Sequence, residues 1–295
     1  MKARPFRRAS AFLTTLLAAF LAAAVSACRP SPVAPRPSPF FFIQMSDPQF
    51  GMFTANGDFS RETDNFTRAI EAANRLRPAF VVVTGDLTNR QGDSAQIAEY
   101  RRIASTLDRS IPLYNVPGNH DVALPLSPSS VAAYRAVYGA DYYTFERNGV
   151  LGVVINSSLF KEPNLAPAEA AAQEQWLAET LANARATKRR VIVFQHHPWF
   201  LANADEPDQY YNLPADKRRA MLKLLGDAGV RQVFAGHYHR NALARDGDLE
   251  MVTTGPVGKP LGTDPSGFRV VIVTRDSVIH RYYALDSLPD GIRLP

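Results

Sequence analysis

Five short apolar runs in this 295-residue chain each end in a cluster of polar, metal-competent side chains, and that repeated grammar constrains the fold more than any other feature. Phe40 to Met45 leads into Ser46-Asp47-Pro48-Gln49, Ala79 to Thr84 into Gly85-Asp86-Leu87-Thr88-Asn89, and Ile111 to Val116 into Gly118-Asn119-His120-Asp121. Arg190 to Gln195 leads into His196-His197-Pro198, and Val230 to Ala235 into Gly236-His237-Tyr238-His239. Runs of this length, rich in Val, Ile and Phe, read as buried strands. Between them the spacing of apolar residues predicts helices over 61–76, 94–107, 128–138, 167–186 and 214–228, several with proline at a first-turn position. Strand, helix, strand is the signature of parallel pairing with helices on the faces. The segments 142–145, 151–156, 249–254, 268–274 and 277–283 are mostly unbroken by such helices and are expected to be antiparallel or mixed. A two-sheet α/β sandwich wrapped by helices accounts for both halves. Ligands in such sheets sit beyond the carboxyl ends of the strands, so all five polar clusters are expected on one rim.

The amino terminus follows a different grammar. Lys2, Arg4, Arg7 and Arg8 precede an apolar run, 11–25, that is short for a membrane span and ends in Val25-Ser26-Ala27-Cys28. This resembles a bacterial lipoprotein signal, which implies cleavage before Cys28, lipidation of that cysteine and attachment of the new terminus to a membrane. Cys28 is the chain's single cysteine, and Pro30, Pro32, Pro35, Pro37 and Pro39 follow it as an extended tether. The expected organisation is therefore a signal peptide over 1–27, a Pro-rich tether over 28–39 and one folded domain over 40–295. The expected address is the bacterial cell envelope. Arg29 stands where an acidic residue would mark inner-membrane retention in enteric-type sorting, which favours an outer membrane facing the periplasm.

Charge bears on partners. The formal balance of +5 falls to +1 once Lys2, Arg4, Arg7 and Arg8 are set aside, leaving 29 basic against 28 acidic side chains. No global basic footprint remains, so no nucleic-acid partner is expected.

In identity and order, the blocks D-x-Q, G-D, G-N-H-D, a later histidine and G-H-x-H resemble the five-block signature of calcineurin-like metallophosphoesterases, from Asp47 to His239. The resemblance implies a four-layer αββα sandwich, two mixed sheets flanked by helices, that hydrolyses a phosphorylated substrate with two divalent ions. Such ions stand roughly 3.5–4 Å apart and need one carboxylate that touches both. By resemblance that carboxylate is Asp86, with Asp47, Gln49 and His239 on one ion. Asn119, His237 and one of two adjacent histidines fall on the other. His196 is favoured, because in relatives the ligand commonly stands two residues before a proline, as His196 stands before Pro198. His197 is then a hydrogen-bonding partner, a substrate contact or a packed core histidine. His120 is implied as the acid that protonates the leaving oxygen, Asp121 as the residue that orients the loop or the imidazole, and a hydroxide between the ions as the nucleophile.

Gln49 departs from the commonest pattern, which has histidine there. A neutral amide oxygen is a poorer ligand for a borderline-soft metal, so Mn, Fe and Zn all stay open. Met45-Ser46-Asp47-Pro48-Gln49-Phe50-Gly51 nevertheless resembles the D-P-Q-F-G block of the CPPED-type phosphoesterases, where glutamine is normal. Asn89 stands where purple acid phosphatases carry the tyrosine that colours their iron, and is expected to act as a hydrogen-bonding partner or substrate contact. The activity implied is hydrolysis of phosphate monoesters, with phosphoserine or phosphothreonine suggested by the subgroup. Hydrolysis of cyclic nucleotides or lipid head-group diesters is one alternative, and a non-catalytic module that binds metal or phosphate is another. Phe50, Phe53, Trp199, Phe200, Tyr210, Tyr211 and Tyr238 are either substrate walls or packing, and Arg90 and Lys259 either phosphate contacts or solvated charges.

Overall fold

A computed structural model describes residues 38–123 and 125–295, together with Met1. The expected signal peptide, Cys28 and the tether as far as Pro37 lie outside the described residues. In chain order the elements are β1 (Phe40–Met45), α1 (Ser60–Leu76), β2 (Val81–Thr84), α2 (Ser94–Ala104), β3 (Leu113–Val116), α3 (Asn119–Val122), α4 (Pro128–Tyr138), β4 (Tyr143–Arg147), β5 (Val150–Val154), α5 (Ser158–Lys161), α6 (Pro167–Ala186), β6 (Arg190–Phe194), α7 (Ala215–Asp227), β7 (Gln232–Ala235), β8 (Ala242–Asp246), β9 (Leu249–Thr253), β10 (Gly267–Val273) and β11 (Val278–Ala284). They build one sheet in the order β11-β10-β1-β2-β3 and a second in the order β4-β5-β6-β7-β9-β8. Strands β1, β2 and β3 are parallel, as are β5, β6, β7 and β9, while β10, β11, β4 and β8 run antiparallel to their neighbours.

Alternation along each strand decides the layering. From β1, Phe40 and Phe42 enter the core between the sheets with Phe80, Phe194 and Phe234, whereas Phe41, Ile43 and Met45 face the helices. Phe42 stacks on Phe80 at a centroid distance of 4.6 Å and meets Phe194 and Phe234 edge-on at 5.6 Å. Helix α1 covers the outer face of the first sheet with Phe66, Ala69, Ile70 and Ala73. Helices α6 and α7 cover the second with Leu177, Leu181, Leu222 and Leu225. The result is the αββα sandwich.

Two details depart from the sequence reading. Helix α2 stops at Ala104 instead of continuing to Leu107, because the hydroxyls of Ser105 and Thr106 donate back to the carbonyls of Arg102 and Ile103 at 2.7 Å and compete with helix propagation. Edge strand β8 carries no apolar run that could announce it: its burial alternates around one buried residue, Ala244, and it turns into β9 through Gly247 at φ 56°. Among the described residues no helix is long and apolar enough to cross a membrane.

Candidate metal centre

Beyond the aromatic layer the gap between the sheets turns polar. Gln44, next on the inward face of β1, donates to Thr84 Oγ1 at 3.1 Å and to Ala235 O at 3.0 Å, and accepts from Thr254 Oγ1 at 2.7 Å. This layer ties the two sheets together immediately beneath the strand exits. Above it the exits stay in parallel register, with Asp47 N donating to Gly85 O, Gln49 N to Asp86 O and Gly236 N to His196 O.

Side-chain room at this point comes from glycine. A Cβ on Gly118 would stand 2.1 Å from Asp86 N, one on Gly85 2.4 Å from His196 Nδ1, and one on Gly236 1.8 Å from Ser46 Oγ. The backbone itself is bent into an unusual form. Asp47, Gln49, Asp86, His237 and His239 all have left-handed φ between 40° and 67°. Each such residue costs of order 1–3 kcal/mol, a strain that persists where the surroundings over-determine it, typically at functional sites. Here the strain falls on five of the seven residues expected to hold metal.

Those residues form two groups of facing ligand atoms that share one carboxylate: Asp86, His196 and His237, and Asp47, Asp86 and His239, the atoms of each group lying within 4.8 Å of one another. His196 Nε2 is 3.3 Å from Asp86 Oδ1, 3.2 Å from His237 Nδ1 and 3.0 Å from Asn119 Oδ1. In the second group His239 Nε2 is 3.4 Å from Asp47 Oδ1. The rings are aimed from behind. His196 Nδ1 is 2.8 Å from Thr84 O, His239 Nδ1 2.6 Å from Lys259 O and His237 Nε2 3.4 Å from Tyr210 O, so each ring donates outward and turns its other nitrogen to the cluster. The backbone amide of His237 holds Asp47 Oδ2 at 3.1 Å.

Gln49 gives the sharpest test of whether this set fits a cation. Its Nε2 donates to Asn89 Oδ1 at 3.2 Å, which leaves Oε1 buried with no hydrogen-bond partner. A buried acceptor left without a partner, on the same strand exit as Asp47, fits a cation ligand. Asn89 is fixed in turn by Asn56, which also receives Gln96 Nε2 at 2.8 Å. Asn89 therefore orients Gln49, and its carbonyl, 2.7 Å from His120 Nδ1, orients His120 as well.

The protonation pattern carries the same demand for positive charge. Burial pushes Asp86 upward, but the surrounding His196, His120 and His237 rings hold it well below the usual carboxylate range. Burial disfavours a charged His196, yet Asp86 raises that ring to about 9. Burial, then the charge on His196, brings His237 down to about 3, leaving it neutral. Without metal, a proton on His196 supplies the charge, and metal must displace it. The imidazolium's contribution to metal-free stability is complete below pH 6.5 and is lost as pH rises through about 9. The apparent metal affinity of stripped protein is therefore expected to climb by up to about tenfold per pH unit across that window and then flatten. Calorimetric titration with Mn²⁺ in buffers of different ionisation enthalpy should register proton release near neutrality; affinity independent of pH would refute the coupling.

The remaining expected residues divide. The His197 ring meets Ser157 Oγ at 2.9 Å and packs on His237 at a centroid distance of 4.3 Å, outside both groups. Asp121 does not reach the His120 ring. Its carboxylate accepts from the backbone amides of Gly118 at 2.8 Å, Leu87 at 3.0 Å and Thr88 at 3.3 Å, which joins the loops after β2 and β3. Burial and the charge on Asp86 raise this carboxyl to about 7. Phe50, Trp199 and Phe200 are wholly buried and cannot wall a pocket, whereas Tyr210 is 63% exposed with its ring 4.9 Å from His237. The loop carrying Tyr210 and Tyr211 is pinned by Lys161, which donates to Gln209 O and Asn212 O, and by the buried Arg218 guanidinium on Ala204 O and Glu206 O. Neither tie is announced by a sequence motif. Arg90 is an exposed charge 3.9 Å from Asp93, and Lys259 contributes its carbonyl to His239.

A two-sheet sandwich with paired cation sites sharing one aspartate at the strand exits defines the class of two-metal phosphoesterases. The chain belongs to the calcineurin-like phosphoesterase family, whose profile matches residues 42–241. Within the family it is 39% identical over 269 residues to the serine/threonine-protein phosphatase CPPED1 of Homo sapiens, covering 85% of this chain and 86% of that protein. The Danio rerio protein of the same name is 39% identical over 268 residues, with 85% and 87% covered. A dimetal phosphatase from Danio rerio superposes with a TM-score of 0.59 at 17% identity, over 83% of this chain and 99% of that one. Purple acid phosphatase PPD1 from yellow lupin superposes at 0.64 with 13% identity, over 85% and 52%. The chain is thus a metal-dependent phosphoric ester hydrolase of this family and of the CPPED-type subgroup.

Proposed function

We propose that the protein is a phosphomonoesterase that removes phosphoryl groups from phosphoserine or phosphothreonine, acting outside the cytoplasm from a lipid anchor on Cys28. The observation that carries the site reading is the pair of ligand groups sharing Asp86, completed by the orphaned Gln49 Oε1. The substrate class follows the CPPED1 relatives, which are named serine/threonine-protein phosphatases. Asp47, Gln49, His239 and Asp86 would hold one cation, and Asn119, His196, His237 and Asp86 the other. Bound there, two divalent cations supply Lewis acidity, making water nucleophilic near neutral pH and neutralising the phosphoryl oxygens. His120 donates its backbone amide to Asp86 Oδ1 at 2.9 Å and its Nδ1–H to Asn89 O. Its Nε2 is then the nitrogen that, in the imidazolium, gives its proton to the departing alkoxide. Asp121 holds the loops of Gly118 and Leu87 so that His120 and Asn119 stay in place, and His197 buttresses His237.

The test is hydrolysis of an aryl phosphomonoester, an aryl phosphodiester and a phosphoserine peptide by the domain from Ser38 onward, with Mn, Fe, Zn or no metal. Metal-dependent monoester turnover that falls by about 10²–10⁴-fold in His120→Ala supports the reading. Preference for the diester would replace it with a phosphodiesterase, and stoichiometric metal binding without turnover with a binding module. In the same assays Gln49→Ala is expected to lose one equivalent of metal on dialysis, with affinity at that site lower by roughly 10–100-fold, read by elemental analysis. Lipidation is tested by the mass of the N-terminal peptide: an acylated Cys28 supports the anchor, and an unmodified one removes it.

A further inference from the structure

The parallel strands fix two ends of the sandwich. Metal-competent residues occupy the carboxyl ends, and the opposite end is built from the starts of β1, β5, β6 and β7 and the turn between β10 and β11. A cleft of about 340 Å³ opens at that far end, and Lys188, Arg189, Arg190, Arg231 and Arg275 line it with a single acid, Asp276. A second cleft of about 180 Å³ shares Lys188, Arg190 and Arg275 and is lined by Ser38 and Phe40, where the chain enters β1. The basic surface and the entry of the N-terminal segment are therefore one face.

Its charge is out of proportion to the rest of the domain. Six of the chain's 33 basic residues precede Ser38, namely Lys2, Arg4, Arg7, Arg8, Arg29 and Arg36, and no acid does, which leaves 27 basic against 28 acidic side chains from Ser38 onward. A domain at net −1 thus gathers five cations around one cleft. Acids offset part of this: Arg231 is 3.5 Å from Asp248, Arg275 3.6 Å from Asp276 and Arg189 is paired with Glu146, so these five cations and three acids leave a net +2 on the face. Lys188 is exposed in a left-handed turn at φ 52°. Arg189 is paired with Glu146, and Arg190 donates to the carbonyls of Thr274 and Arg275, which fixes the cleft's wall.

We propose that this basal face docks on a bilayer surface rich in anionic phospholipid headgroups, so that the metal centre is presented on the side turned away from the membrane. The approach to a bilayer rests on Cys28 being lipidated: nine residues lie between it and Ser38, and the ten steps from one to the other span at most about 36 Å. The leash therefore joins the domain on its basic face, which a bilayer holding Cys28 could reach within about 36 Å. Basic side chains within a Debye length of an anionic leaflet are attracted individually and additively, with a steep loss in salt.

The experiment uses residues 38–295, which contain both sheets and the three hydrophobic clusters and form a compact unit without the anchor. Co-sedimentation is measured with phosphatidylcholine vesicles with and without phosphatidylglycerol, at low and high salt, for the domain and for the Lys188→Glu, Arg231→Glu, Arg275→Glu triple variant. The expected result is binding to anionic vesicles only, abolished by salt and reduced at least about tenfold in the triple variant, whose phosphatase activity is unchanged. Absence of binding to anionic vesicles, equal binding by the triple variant, or binding to a soluble polyanion such as heparin in place of the vesicles each overturns the proposal. None of these outcomes depends on Cys28, so failure here is distinct from failure of the lipidation reading.

Discussion

Replacing Asp86 with alanine is expected to lower kcat/KM by on the order of a thousandfold or more, whatever metal is supplied, because among the described residues no other side chain belongs to both ligand groups. Loss of a ligand to one cation leaves the other group intact; loss of Asp86 removes a carboxylate from each. His196 is raised to about 9 by Asp86, with Asp47 a smaller contributor, so without Asp86 the buried ring has little reason to hold a proton at neutrality. Asp47 would then be the one carboxylate left in the cluster, still opposing burial to hold the His239 ring above the usual imidazole range. Asp86→Asn separates charge from shape, since an asparagine oxygen can still accept from His120 N, the bond made at 2.9 Å in the native loop. It is expected to keep the native melting temperature within a few degrees yet lose activity nearly as far as alanine. Circular dichroism melts, elemental analysis and steady-state kinetics on the two variants check this. Survival of more than about a tenth of the native turnover in Asp86→Ala at saturating metal would mean that Asp86 is not the shared ligand.

The strand exits are legible in the sequence because two independent signals coincide there: a period-free apolar run, which marks a strand buried on both faces, and an abrupt switch to Asp, Asn, Gln and His. Helices α1, α4 and α6 emerge within a residue of their expected limits, since apolar spacing or an initial proline marks them. Legibility ends where function depends on what lies behind a side chain. His196 and His197 are adjacent in sequence and equally buried, and they diverge because Ser157, distant in the chain, takes both backbone amides and the His197 ring, leaving His196 to face Asp86. The amide relay from Gln96 through Asn56 and Asn89 to Gln49 joins residues spread over 48 positions, and no local pattern links them. Asp121 is readable as a loop-orienting residue but not as the acceptor for three amides from two different loops, because that depends on how closely the exits of β2 and β3 approach. The left-handed φ of Asp47, Gln49 and Asp86 is likewise a product of tertiary constraint, since aspartate enters that region only moderately often and glutamine seldom.

That close approach sets the second large effect. Gly118→Ala adds one methyl group, which would stand 2.1 Å from both Asp86 N and Asp86 Oδ1 and 2.8 Å from Asp86 Cα. Two of those atoms are backbone in a loop whose amides are already committed to Asp121, so no rotamer change relieves the clash and the β2 and β3 exits must separate. Overpacking of this kind costs about 3 kcal/mol or more, which in a domain of this size lowers the melting temperature by roughly 5–10 °C. The displacement falls on the shared carboxylate itself, and misplacing a catalytic group by about 1 Å can cost on the order of 100-fold in rate, so activity should fall well beyond what lost stability explains. Gly226→Ala is the control. It lies inside α7, where an added methyl group would meet nothing within 4 Å, and is expected to stabilise the fold by roughly 0.5–1 kcal/mol with activity unchanged. The two substitutions are chemically identical, so opposite outcomes in the same melts and assays trace to the approach of Gly118 to Asp86, and equal outcomes would show that the rim tolerates a wider separation than this packing implies.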